Sequence, residues 1–124
     1  MVPFMPLHVL DKLLDGVFIL EARGRITLGP ETESLRQRLK NTSESGHKQI
    51  VLDLAGVDYI DSAGLGTLVS GAASVRRAGG ELKLANLTSR VRDLMQITRL
   101  STLFEVHDSL DKARSSFTRS GTTP

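Results

Sequence analysis

The sequence of 124 residues contains no cysteine, no tryptophan and a single tyrosine. The absence of cysteine excludes disulfide bonds, thiol nucleophiles and thiolate metal sites, and it is compatible with a cytoplasmic protein. Aromatic residues make up only 4% of the chain, which leaves few rings on which bases could stack. The net charge is only +2 and no dense basic run occurs, so we expect no direct binding to nucleic acid.

Long apolar runs are missing as well. No stretch approaches the roughly 18 residues that a membrane-spanning helix needs. The first eight residues lack both the basic region and the sustained apolar region of a signal peptide. We therefore expect a cytoplasmic protein that does not enter the membrane. Hydrophobic residues still reach 40%, which allows a core built from Leu, Val, Ile and Ala.

Short apolar runs alternate with helical patterns along the chain. The predicted strands are residues 17–20, 49–54, 82–85 and 104–106, with residues 9–14 weakly patterned and residues 25–28 a candidate extension of the sheet. The predicted helices begin at or just after Pro30, Asp61 or Ser62, Thr88 or Ser89, and Asp108 or Ser109, the last one ending near Arg114. The order predicts one α/β domain over residues 1–114, with a mixed, mostly parallel β-sheet flanked by about four helices. Residues 115–124 are rich in Ser, Thr and Gly, and we expect a flexible C-terminal tail there.

One junction between strand and helix carries the most informative residues. The apolar strand 49–54 is followed by a predicted loop over residues 55–60 and then by Asp61 and Ser62, where the helical pattern starts. A serine hydroxyl at a helix N-terminus suits phosphorylation, since the helix dipole favours the added charge. A phosphate would add about −1.5 to −2 charges beside Asp61 and would disfavour any interface that used this corner. A plain N-capping serine is the alternative interpretation.

Two catalytic or nucleotide-binding motifs are incomplete at this junction. Gly64 and Gly66 begin like a dinucleotide fingerprint, but the third position is Val69. Small residues here are better explained by close packing of the first helical turn against the sheet. A serine hydrolase elbow requires glycine at the position of Ile60, and no histidine partner for Ser62 is evident among His8, His47 and His107.

The acidic residues allow two further hypotheses. Asp53 lies near the end of the central strand, where a response-regulator receiver carries its phospho-acceptor. However, only Glu21 follows the earlier strand, where an acidic pair is required. Lys83 lies within a predicted strand, so it does not supply the late lysine of a receiver in an obvious way. Asp53, Asp58 and Asp61 could bind Mg²⁺, but the sequence does not fix their geometry, and we expect neither metal nor cofactor.

The same residues resemble a known family. Residues 50–54 and 57–66, together with residues 79–84, 91–100 and 104–109, resemble the STAS domain of sulfate transporters and anti-sigma factor antagonists. The likeness extends over roughly residues 8–114, nearly the whole chain. Its most specific part is the run Asp-Ser-Ala-Gly-Leu-Gly at residues 61–66, placed after an apolar strand and at the start of a helix.

The resemblance implies a function in signalling and not in catalysis. Ser62 matches the serine that an anti-sigma factor/serine-protein kinase phosphorylates and a metal-dependent serine phosphatase restores. The unphosphorylated protein, a monomer or weak dimer, would bind the anti-sigma factor and release it on phosphorylation. The implied docking residues are Asp61, Ser62, Ala63, Gly64, Leu65 and Gly66. The alternative is a STAS scaffold subunit of a stressosome-like or other signalling complex.

Overall fold

The structure, a computed structural model, describes residues 6–121, with side chains described for residues 6–117. Its elements in chain order are β1 (His8–Leu14), β2 (Val17–Ile26), α1 (Pro30–Glu44), β3 (Gln49–Ile60), α2 (Ser62–Arg77), β4 (Glu81–Ala85), α3 (Ser89–Ile97), a 3-10 turn (Leu100–Thr102), β5 (Glu105–His107) and α4 (Leu110–Gly121). These elements confirm the predicted α/β class with four α-helices in the described part of the chain.

The strands form one sheet in the order β1-β2-β3-β4-β5. β1 pairs antiparallel with β2, whereas β2, β3, β4 and β5 pair in parallel, so the sheet is mixed and mostly parallel as predicted. The β1–β2 hairpin turns at Asp15 and Gly16, which have φ angles of 52° and 82°. An Asp-Gly pair suits this two-residue turn because both positions require positive φ.

The central strands are covered on both faces, which explains the near-continuous apolar run in β3. Ile50 and Leu52 lie in the larger core, whereas Val51 between them points to the smaller core on the other face. Helices α1, α2 and α3 cover the face with the larger core. Helix α4 covers the other face, where it packs with strand residues in the smaller core. The helical members of the larger core include Leu35, Leu39, Leu65, Leu68, Val75, Val91 and Met95.

The strand β3 is twice as long as predicted. Residues 55–60, predicted as a loop, continue the strand, and Val57 and Ile60 are buried. They pair with residues 23–26 at the end of β2, where two register shifts interrupt the ladder. Exposed Gly56 and Asp58 break the apolar pattern, so periodicity alone did not identify this part of the strand.

The last helix also runs further than predicted. α4 continues past Arg114 to Gly121, and Phe117 is only 3% exposed. Phe117 packs in the smaller core together with Ala113, one helical turn earlier. Composition did not indicate this part of the helix, because the Ser residues around Phe117 suggested a flexible tail. The buried side chain of Phe117 instead anchors the helix to the sheet. Residues 122–124 of the predicted tail lie outside the described residues.

A buried lysine connects α4 to the sheet. Lys83 on β4 is 1% exposed, and its Nζ donates to Oγ of Ser116 at 2.6 Å. The same Nζ lies 2.9 Å from Oε2 of Glu105 on β5 and 4.1 Å from the ring centroid of Phe117. A buried ammonium without such partners would destabilise the fold by several kcal/mol. These contacts therefore attach α4 to β4 and β5 at one defined position.

Glu105 is held in its ionised form by the same cluster. Burial of the Glu105 carboxyl opposes ionisation, but hydrogen bonds from Lys83 and from His107, whose Nε2 lies 2.5 Å from Oε2, outweigh it. The pKa of Glu105 is therefore held below its ordinary value of 4.5. Because the pKa is lower in the folded state, this stabilisation is complete above the ordinary value. It is lost as the pH falls through the folded-state pKa.

We predict that Lys83→Met makes folding less sensitive to acid. Methionine fills a similar volume, so the free energy of unfolding at neutral pH should change by less than about 2 kcal/mol. Wild type should lose more of this free energy than the variant between about pH 7 and about pH 3, because methionine cannot hold down the pKa of Glu105. Urea unfolding at both pH values measures the difference, with the exposed Lys112→Met as a control that follows wild type. Equal losses in wild type and Lys83→Met would contradict the role assigned to Lys83.

Candidate functional site

Asp61 joins three parts of the chain at the predicted junction. Its Oδ1 accepts a hydrogen bond from the backbone N–H of Gly64 at 2.7 Å, which makes Asp61 the N-cap of α2. Its Oδ2 accepts from the N–H of Leu28 at 3.1 Å, and its own N–H donates to the carbonyl of Ile26 at 3.2 Å. The end of β2, the end of β3 and the start of α2 are thereby held together.

Ser62 is the first residue of α2, and its side chain is exposed. Because Asp61 already provides the cap, the hydroxyl of Ser62 is not needed to satisfy the helix terminus. Of the other predicted docking residues, Gly66 is exposed and Ala63 is half-buried, whereas Gly64 and Leu65 are buried. The structure therefore presents Ser62 outward on a helical turn that other residues hold in place.

The two glycines of this turn have different roles. A Cβ atom on Gly64 would lie 1.9 Å from the carbonyl oxygen of Ile26 and 2.9 Å from Cγ2 of Ile60, so only glycine allows α2 to approach the sheet this closely. Among the described residues, no heavy atom would come within 4 Å of a Cβ on Gly66. The packing role predicted for both glycines is confirmed for Gly64 and wrong for Gly66.

A groove of about 550 Å³ opens beside Ser62. One wall comes from the end of β3 and the first turn of α2, including Ser62 and Leu65. The other wall is α3, which contributes Arg90, Leu94 and Ile97 at the i, i+4, i+7 spacing of one helix face. Leu94 and Ile97 belong to an apolar stripe along α3, but the sequence alone does not show that part of this stripe faces away from the core.

Large apolar side chains surround Ser62. Ile97 on the groove wall is 79% exposed, and Tyr59 on the facing wall is also exposed. Leu28, which follows β2, is 84% exposed and lines a separate hollow next to Ala63. Exposed apolar side chains gathered around one corner are typical of a protein-binding surface.

The charged side chains in the groove are not paired with one another. Arg90 and Asp93 of α3 line the groove, and neither forms an ion pair or a side-chain hydrogen bond with the described residues. Arg92, on a different face of the same helix, lies 3.5 Å from Asp108. Arg90 is therefore a solvent-exposed cation beside Ser62 that no intramolecular contact explains.

The histidines that a serine hydrolase would need lie away from Ser62. The His47 ring packs on Phe18 with 4.9 Å between centroids, and His107 bonds to Glu105, so neither lies in the groove. His8 is on β1 and is likewise absent from the groove lining. The described residues thus bring no histidine to Ser62 with which a nucleophilic serine could be activated.

The acidic residues do not come together. Asp53 is 8% exposed and accepts hydrogen bonds from Asn86 Nδ2 at 3.2 Å and from the Ala55 N–H at 3.0 Å. Asp53 and Asp61 are eight positions apart along and just beyond β3, which corresponds to roughly 20 Å. No group of three metal-ligating side chains occurs in the part of the chain that the structure describes. Its helices also include none that is long and apolar enough to cross a bilayer.

We predict opposite effects for the two glycines of α2. Gly64→Ala should destabilise the protein by at least about 2 kcal/mol, because the methyl group would overlap the Ile26 carbonyl. Gly66→Ala should stabilise it by about 0.5–1 kcal/mol, because alanine is the better helix former and the space is open. Urea unfolding of both variants measures the two changes. A similar loss in both would show that α2 packs differently from the arrangement described.

The chain is similar to known proteins over most of its length. The profile of the STAS domain family matches residues 9–113. BtrV of Bordetella bronchiseptica, provisionally named an anti-sigma factor antagonist, is 33% identical over 108 residues, which is 87% of this chain and 91% of BtrV. The anti-sigma-B factor antagonist of Bacillus subtilis is 38% identical over 72 residues, which is 58% of this chain and 65% of that protein.

The fold is shared with solved structures as well. The crystal structure of a protein from Thermotoga maritima, provisionally named an anti-sigma factor antagonist, superposes with a TM-score of 0.79 at 23% identity. The match covers 87% of this chain and 92% of that one, and it supports the mixed sheet and helix order described above. The match of the family profile over residues 9–113, together with the relative at 33% identity, shows that the chain belongs to the STAS domain family.

Proposed function

We propose that this protein is a cytoplasmic anti-sigma factor antagonist that works in a partner switch. The unphosphorylated form binds an anti-sigma factor/serine-protein kinase, and phosphorylation of Ser62 releases it. The observation that carries this proposal is the exposed Ser62 hydroxyl on the first turn of α2, beside an open groove with apolar walls. The names of the relatives support the same role.

The chemistry of the switch involves two other proteins. The kinase transfers the γ-phosphoryl group of ATP to Oγ of Ser62 and releases ADP and a proton. A metal-dependent serine phosphatase hydrolyses the phosphate ester with water, which restores the hydroxyl and yields inorganic phosphate. Neither step requires a catalytic residue of this chain.

The fold tolerates the phosphate, whereas a docked partner would not. The dipole of α2 favours negative charge at its first turn, so the modified domain stays folded. The phosphate carries about −1.5 to −2 charges and three acceptor oxygens. Placing it within an apolar interface imposes a desolvation penalty, and Asp61 adds like-charge repulsion. The partner is therefore released although the backbone keeps its shape.

Binding explains the site better than catalysis does. Both oxygens of the Asp61 carboxylate accept backbone hydrogen bonds, so Asp61 holds the corner together. None of the described residues that line the groove is a histidine. The exposed Ile97 and Tyr59 supply the apolar contact area that an interface requires.

The charge of residue 62 should control binding of the anti-sigma factor. We expect Ser62→Ala to bind it with wild-type affinity and Ser62→Asp to bind at least about tenfold more weakly, which corresponds to about 1.4 kcal/mol. Isothermal titration calorimetry with the anti-sigma factor from the same organism measures both affinities. Ser34→Asp adds the same charge at an exposed position of α1 and should bind like wild type. Equal affinities for the Ala and Asp variants at position 62 would refute the switch.

The apolar wall of the groove should contribute to the same binding. Ile97→Ser removes an exposed side chain, so we expect unchanged stability and about a tenfold loss of affinity for the anti-sigma factor. Leu103→Ser is the matched control, because Leu103 is also exposed but does not line the groove. If both variants bind like wild type, the partner does not use the groove.

A further inference from the structure

Arg90 is placed where its own helix does not favour a cation. It lies in the first turn of α3, which contains no acidic residue. The N-terminal end of a helix carries partial positive charge, so an arginine there is repelled and does not stabilise the helix. Arg90 is exposed and makes no ion pair or side-chain hydrogen bond with the described residues. Neither helix stability nor a contact within the chain therefore accounts for it.

The groove brings Arg90 and Ser62 to a shared space. Ser62 belongs to the wall formed by β3 and α2, and Arg90 belongs to the wall formed by α3. The other charged side chains that line the groove are Asp61, whose oxygens are already bonded to the backbone, and Asp93, which is unpaired. Arg25 stacks on Tyr59, with its guanidinium carbon 6.0 Å from the ring centroid, and does not line the groove. Among the described residues that line the groove, Arg90 is thus the one with a positive charge.

We propose that Arg90 receives the phosphate of phosphorylated Ser62, an inference that rests on the proposed function. A guanidinium binds phosphate through two parallel hydrogen bonds, which makes arginine the side chain best suited to this contact. The resulting pair joins α2 to α3 across the groove and covers its apolar walls. Phosphorylation then acts in two ways, because it adds charge at the docking corner and also closes the groove that a partner would occupy.

The ionisation of the phosphate tests this contact directly. The full chain is produced with phosphoserine encoded at position 62, and the second pKa of the phosphate is measured by ³¹P NMR titration. A free phosphoserine has a second pKa of about 6, and α2 affects that value equally in all variants. Contact with Arg90 should lower the pKa in wild type, so that Arg90→Gln decreases the acid dissociation constant about tenfold. Arg92→Gln is the matched control, because Arg92 pairs with Asp108 on another face of α3.

The outcomes separate this inference from the proposed function. A lower phosphate pKa in wild type and in Arg92→Gln than in Arg90→Gln supports the contact. The same pKa in wild type and Arg90→Gln overturns it, and so does an equal increase in both arginine variants. The titration needs neither kinase nor partner. If phosphorylation fails to weaken anti-sigma binding by calorimetry, the proposed switch falls, while the titration still decides whether Arg90 holds the phosphate.

Discussion

The geometry of the site depends on the carboxylate of Asp61. One oxygen closes the first turn of α2 and the other holds the backbone of Leu28, while the Asp61 amide bonds to Ile26. A single residue thereby fixes where two parallel strands end and where the next helix begins. Ser62 is exposed because its neighbour performs the capping that serine often performs itself. The proposed phosphorylation site is thus separate from the residue that caps the helix, although the two are adjacent in sequence.

Much of this corner could be predicted from the sequence, because its determinants are local. An Asp before an apolar helical pattern indicates a cap, and the serine after it must then lie on the first turn. The close approach at Gly64 is not local, because it is to the Ile26 carbonyl on β2, and the sequence therefore did not distinguish Gly64 from Gly66. The continuation of β3 through residues 55–60 was missed because Gly56 and Asp58 face solvent and because this part of β3 pairs irregularly with β2, which lies far away in the chain.

The groove and the buried cluster could not be predicted for the same reason. Leu94 and Ile97 fit the apolar stripe of an amphipathic helix, and only the position of α3 relative to α2 shows that they face an opening. The burial of Lys83 was not predicted, because charged side chains are rarely buried without partners. Its partners Glu105 and Ser116 come from the last third of the chain, and the helix that carries Ser116 extended beyond the predicted end.

The division of labour within α2 and α3 affects how such proteins can coexist in one cell. Asp61 and Gly64 are required by the fold. In contrast, there is open space next to Gly66 and the side chain of Ile97 is exposed, so both residues can change without a loss of stability. If Ser62 is phosphorylated as proposed, duplicated copies of this domain could keep the same phosphorylation site and diverge only in its surroundings. Each copy would then select its own kinase by the shape of its groove, and parallel pathways would remain insulated although all of them use the same chemical signal.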